Sequence, residues 1–227
     1  VQKEFHEMTQ TPVELITNGF DESDFISNAG NAAAGSSERD FTITHTGLFA
    51  ADGNPTALWK TLSEICNEDN LFKVRLRIRL VGKTDTQIIS AIKEAGLEDN
   101  LIDMGYQPHN TAVEQQREAS VLILPLRKEP EYKAVLPGKL FEYMASTRPI
   151  LGIGQPDGAM AMILNDTKTG VTVDWEDKES LKKFILECWN RHMKGELKTE
   201  DSDISRFTRR NLTRRMAQLF DKITENE

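Results

Sequence analysis

From residue 41 onward the chain repeats one unit: a short β-forming run, usually closed by Gly, then a segment with helical spacing. Phe41-Thr42-Ile43-Thr44-His45 opens the series, and Thr46-Gly47 closes the run. Further strands are predicted over 74–81 (closed by Gly82), 101–104 (closed by Gly105), 121–124, 149–153 and 171–173. Helices are predicted between them over 54–67, 84–95, 110–119, from 138 and over 158–164, with two more over 178–192 and 202–223. Val121-Leu122-Ile123-Leu124 is apolar throughout, as a strand covered on both faces must be. Leu76, Ile78 and Leu80 alternate with Arg75, Arg77 and Arg79, so one face of that strand carries Arg stems. Strand and helix alternating six times imply a doubly wound parallel α/β sheet. Ligands of such sheets sit beyond the carboxyl ends of the strands, at the switch point. With strand order 3-2-1-4-5-6, the first and fourth strands flank that crevice. The loops 46–48, 82–83, 105–106 and 125–138 then face it.

The fourth of these loops leads into Leu136-Pro137-Gly138-Lys139-Leu140-Phe141-Glu142-Tyr143-Met144-Ala145. Leu140, Phe141 and Met144 form an apolar face at helical spacing. Lys139 and Glu142 are three apart and share another face. Gly138 at a helix start lets backbone N–H groups approach an anion, and the helix dipole favours negative charge there. Lys139 adds a cation, and Glu142, one turn on, is an acceptor for a pair of hydroxyls. Phosphate at the helix start with a sugar diol one turn along is a nucleotide-sugar arrangement. The alternative on these residues alone is an ordinary helix start with a solvated ion pair.

A net charge of −8 lacks the basic footprint of a general nucleic-acid binder. Most of the net charge lies in residues 1–40, where eight Asp/Glu stand against two Lys/Arg. No apolar run approaches a membrane span, and no signal peptide is visible. The chain starts at Val1, which suggests a fragment or a processed protein. Cys66 and Cys188, far apart in helical patterns, read as reduced packing residues of a cytoplasmic protein. No metal-ligand spacing appears among the two Cys and four His. Residues 1–26 read as a short helix, a strand at 13–17 and a turn at 18–21. Residues 27–40, rich in Gly, Ala, Ser and Asn, read as a flexible linker. Residues 41–200 form the nucleotide-binding body, and 201–227 a C-terminal helix.

Taken in order, these segments resemble the C-terminal, donor-binding half of GT-B glycosyltransferases, close to family 4. Val13 to Asp21 is similar to the family's hinge segment. His45-Thr46-Gly47 resembles its first strand and phosphate loop, and Gly96 to Tyr106 its strand leading to the base-binding loop. Gly138 to Ala145, followed by Arg148-Pro149-Ile150-Leu151, resembles the block K-x-x-E-x-(L/M)-A-x-g-(K/R)-P-(I/V). The resemblance implies a Rossmann-like domain forming one half of a GT-B fold. It implies an NDP-sugar as co-substrate, no metal, and transfer of a glycosyl group to an acceptor with retention. It places Glu142 on the nucleotide ribose, as the second member of an E-x7-E pair whose first member is here Ala134. It puts Pro137, Gly138, Lys139, Gly47, Lys83 and Tyr106 around the donor, with Lys139 replacing a basic residue absent from Gly53-Asn54-Pro55. No catalytic residue is assigned. The acceptor domain that precedes this half in the family is expected to be missing, leaving a fragment that binds donor without turnover.

Other signals stay open beside this one. Gly152-Ile153-Gly154-Gln155-Pro156-Asp157-Gly158, with Asp174 after the next strand, superficially resembles a dinucleotide fingerprint. An NAD-binding domain is therefore one alternative, and a non-catalytic nucleotide-binding or interaction module on the same fold is another. His45 reads as a crevice residue or a packed one, and His109 as a helix cap. Arg206, Arg209, Arg210, Arg214 and Arg215 on the last helix suggest a solvated face, a domain contact, or peripheral binding to anionic lipid and a lipid-linked acceptor.

Overall fold

The computed structural model describes residues 2–9, 12–26, 40–199 and 203–224. Six parallel strands form its sheet: β1 (Phe41–Thr46), β2 (Leu76–Val81), β3 (Leu101–Asp103), β4 (Val121–Pro125), β5 (Ile150–Ile153) and β6 (Gly170–Val173). Their order is β3-β2-β1-β4-β5-β6, the doubly wound arrangement expected from the alternation. Among the described residues ten α-helices accompany them: α1 (Gln2–Met8), α2 (Ser23–Ile26), α3 (Thr56–Glu68), α4 (Asn70–Arg75), α5 (Thr86–Glu94), α6 (His109–Glu118), α7 (Gly138–Ala145), α8 (Ala159–Thr167), α9 (Lys178–Met193) and α10 (Arg209–Thr224). The linker expected over 27–40 lies outside the described residues, except for Asp40.

Burial explains the strand sequences. Every residue of β1 is buried, and Val121 to Leu124 are buried too, because helices cover both faces of the sheet centre. In β2, Leu76, Ile78 and Leu80 are fully buried. Arg77 and Arg79 emerge on the other face, where they meet Asp40 at 3.3 Å and Glu118 at 3.6 Å. Trp59, Phe41, Phe72, Phe141 and Tyr143 join the aliphatic strand residues in one core. Each such side chain contributes roughly 1.5–3 kcal/mol by leaving water.

Several expectations change. Residues 13–17 form no strand with the described residues; the bridge in this part of the chain runs from Phe20 to Thr208. Val74 and Arg75 belong to α4 and not to the following strand. Asp69 caps that helix by accepting from Leu71 N at 2.8 Å and Phe72 N at 3.1 Å, a local signal that outweighs the β propensity of Val74. The C-terminal helix begins at Arg209; Ser205–Phe207 is a separate 3-10 turn.

That turn ties the chain's two ends together. Phe20 N donates to Phe207 O at 3.1 Å, and Arg209 N donates to Phe20 O at 2.9 Å. Gly19 permits the approach: a Cβ there would lie 2.2 Å from Phe207 O and 2.5 Å from Leu212 Cδ1. Arg209 also reaches Asp21 at 3.7 Å, and Arg215 donates to Leu15 O at 3.2 Å. His109 does not cap α6; its Nε2 lies 3.0 Å from Asp24 Oδ2, which pins α2 onto α6.

Candidate functional site

The carboxyl ends of β1, β2 and β3 terminate in glycines with positive φ: Gly47 (107°), Gly82 (129°) and Gly105 (59°). Such angles favour Gly, which has no Cβ to clash. The three turns stack, with Gly47 N donating to Val81 O and Gly82 N to Gly105 O, both at 2.7 Å. A Cβ on Gly82 would lie 2.2 Å from Gly47 O, so the turns pack backbone to backbone. A Cβ on Gly47 would lie 3.5 Å from Lys139 Cε, so Lys139 extends across the first turn.

Lys139 stands on the first turn of α7. Pro137 is the N-cap and offers no side-chain acceptor. The N–H groups of Gly138 and Lys139 have no carbonyl partner among the described residues. Open space surrounds the place where a Gly138 Cβ would stand. The helix start therefore presents unsatisfied donors, a positive dipole end and an ammonium group.

Glu142 follows one turn later, with its side chain 19% exposed. Its Oε2 accepts from Lys139 Nζ at 2.7 Å and from Gln116 Nε2 at 3.2 Å. Gln116 is fully buried on α6, and its Nε2 also donates to Thr46 Oγ1 at 3.1 Å. Tyr143, next to Glu142 on α7, is buried beneath the first turn. Its hydroxyl accepts from Thr46 N at 2.8 Å and from Thr46 Oγ1 at 3.3 Å. Burial pushes the Tyr143 phenol up to about 12, so it remains a neutral hydroxyl. Thr46, Gln116, Tyr143, Glu142 and Lys139 thus join β1, α6 and α7 in one polar network.

Beside it opens a cleft of about 470 Å³, lined by Gly138 and Glu142, by residues 16–19, and by Arg209, Leu212, Thr213 and Met216 of α10. Of the expected donor residues, Gly138 and Glu142 line this cleft; Pro137 precedes them as the N-cap of α7, and Lys139 links Glu142 to the turn at Gly47. Lys83 follows the second glycine turn and Tyr106 the third; both are exposed, and Tyr106 is 86% so. Among the described residues, neither forms a hydrogen bond or ion pair with Lys139 or Glu142. Ala134 ends the 3-10 turn Pro130–Ala134 and is exposed. Gln116, Tyr143 and Asn18-Gly19 are site residues that sequence reasoning missed. The available signal for Gln116 was its spacing of three from Val113, which marks the buried face of α6.

His45 is a packed residue. Its ring lies 4.2 Å from that of Phe49, with Nδ1 3.2 Å from Ile123 O and Nε2 3.4 Å from Leu48 O. Burial lowers its pKa to about 4. The glycines of the Gly152–Gly158 turn are also accounted for by packing. Cβ atoms there would meet Met160 Cε at 2.7 Å, Leu126 Cδ1 at 3.3 Å and Lys133 O at 3.0 Å. Among the described residues, no three His, Cys, Asp or Glu cluster as metal ligands, and no helix is long and apolar enough to cross a membrane.

Residues 40–191 match the model of the family described as glycosyl transferases, group 1. A search of curated proteins by sequence gave no match. Solved structures share the fold at low identity. Sucrose-phosphate synthase from Thermosynechococcus elongatus is 17% identical with a TM-score of 0.67, over 100% of this chain and 57% of that one. HepE from Anabaena, solved with UDP-glucose, is 14% identical with a TM-score of 0.65, over 97% and 61%. A TarM variant from S. aureus, solved with fondaparinux, α-GlcNAc-glycerol and UDP, is 14% identical with a TM-score of 0.63, over 96% and 42%. The chain therefore spans about half the length of these structural relatives.

Proposed function

The chain belongs to the group 1 glycosyl transferases, and from that premise we propose that it binds the NDP-sugar donor of a glycosyl transfer. The observation that carries this is the pairing of an uncapped helix start with a carboxylate one turn along. The diphosphate lies against the N–H groups of Gly138 and Lys139 and the Lys139 ammonium. Glu142 accepts the two ribose hydroxyls. Gly47 leaves the first turn low enough for the phosphates to pass, and Lys83 and Tyr106 stand further out along the same row of turns. The leaving diphosphate is stabilised as it forms by the same donors, which need no reorganisation. Two structural relatives were solved with UDP or UDP-glucose, so a uridine nucleotide is the first to try. The acceptor is held by a second domain facing the cleft, and a lipid-linked acceptor at a membrane surface fits the Arg-rich last helix.

Calorimetric titration with UDP, GDP, ADP and NAD tests the reading. One nucleoside diphosphate binds, and Glu142→Ala weakens it by ~1–3 kcal/mol, the usual loss when a charged hydrogen-bonding partner is removed. Binding of NAD alone would move the site to the Gly152–Gly158 turn. Equal binding to wild type and Glu142→Ala would remove Glu142 from it.

A further inference from the structure

We propose that Gln116 is a positioning residue that holds the Glu142 carboxylate in place when Lys139 transfers to the donor diphosphate; this rests on the donor reading above. In the free protein, Lys139 and Glu142 neutralise each other at 2.7 Å. A diphosphate carries more negative charge than one carboxylate, so it draws the Lys139 ammonium toward itself. Glu142 then loses its closest partner. A carboxylate on an exposed helix turn would swing toward water at that moment.

Glu142 does not depend on Lys139 alone. Gln116 donates to the same Oε2 from the protein side, at 3.2 Å. Among the described residues Glu142 Oε1 has no partner, so it is the oxygen that remains for hydroxyl groups. Gln116 is itself rigid. It is fully buried on α6, and its amide nitrogen is shared with Thr46 Oγ1 at the end of β1. Thr46 is fixed in turn by Tyr143.

The amide orientation follows from the chemistry. Turned over, Gln116 would set its carbonyl oxygen against the Glu142 carboxylate, two acceptors face to face. In the orientation found, Gln116 Oε1 is buried without a hydrogen-bond partner. An unsatisfied buried carbonyl is costly. The fold tolerates that cost at a position from which an amide donor reaches both Thr46 and Glu142. A Leu or Met at 116 would fill the same space without it. Retaining Gln there is what a functional carboxylate needs and a mere packing position does not.

The test separates the diol from the phosphates. UDP and 2′,3′-dideoxy-UDP, which lacks the ribose diol, are titrated against wild type, Gln116→Met and Gln116→Leu. Pyrophosphate, which reads only the helix start and Lys139, is the third probe. Both variants replace the amide donor with an apolar side chain of similar size and add no charge. The expected result is about a tenfold loss for UDP, with dideoxy-UDP and pyrophosphate unchanged. Lys139→Ala gives the complement, weakening all three probes. Should one variant fail to fold, as judged by far-UV circular dichroism, the other carries the comparison. An equal loss for all three probes would make Gln116 a general structural residue and overturn the proposal. Unchanged UDP binding in a folded variant would overturn it as well. If wild type bound none of UDP, GDP or ADP, the donor reading itself would fall, a result distinct from either.

Discussion

His45 shows how one side chain couples the fold to pH. Its ring is sealed between Phe49 and two backbone carbonyls, with Lys139 nearby adding repulsion to any proton gained. Its pKa falls from 6.5 to about 4, chiefly through burial. The unfolded chain therefore takes up this proton first. Stability is complete above the unfolded value and drains as pH falls from 6.5 toward about 4. The full loss is about 3 kcal/mol. Urea unfolding between about pH 7 and about pH 4 should show this slope in wild type, and His45→Asn should lose that part of it while other groups titrate as before. Glu142 and Lys139 were legible in the sequence because a Pro-Gly start, a Lys and a Glu at helical spacing announce a helix terminus with polar chemistry. Gln116 was not, because it sits in the polar run Glu114-Gln115-Gln116-Arg117-Glu118, which reads as a solvated face. Only the packing of α6 against β1 turns that one residue inward.

Among elements, the order of the sheet and the helices at both ends were readable, while the start of β2 and the state of residues 13–17 were not. Gly-closed strands and intervening helices specify a parallel order with little freedom. Residues 13–17 carry β-forming side chains, but pairing is a tertiary property, and the segment lies against α10 instead of a strand. The contact that matters is the approach of Gly19 to the 3-10 turn before α10. Gly19→Ala would drive a methyl into Phe207 O and Leu212. The expected cost is roughly 1–3 kcal/mol, as for other overpacked positions. Amide hydrogen exchange should then quicken at Phe20 and Arg209, whose N–H groups close this contact, while β1 and β4 keep their protection.

At the scale of the molecule, one core runs from Phe20 to Phe207 and includes all three tryptophans. Trp59 lies on α3, Trp175 after β6 and Trp189 on α9, so they report on both halves of the sheet. Urea unfolding followed by tryptophan fluorescence and by far-UV circular dichroism should give coincident single transitions. Separated midpoints would divide the body into two units. The link between Phe20 and Thr208 stands apart from this core in kinetic terms, because it joins residues separated by nearly the whole length of the chain. A contact of such range demands a long loop closure and yields few hydrogen bonds in return. Its closure is expected late in folding and its parting early in the native state, which faster amide exchange at Phe20 and Arg209 than in β1 and β4 would show. One wall of the cleft beside Glu142 rests on this contact, so a ligand held there should slow exchange at both residues and leave the sheet unchanged.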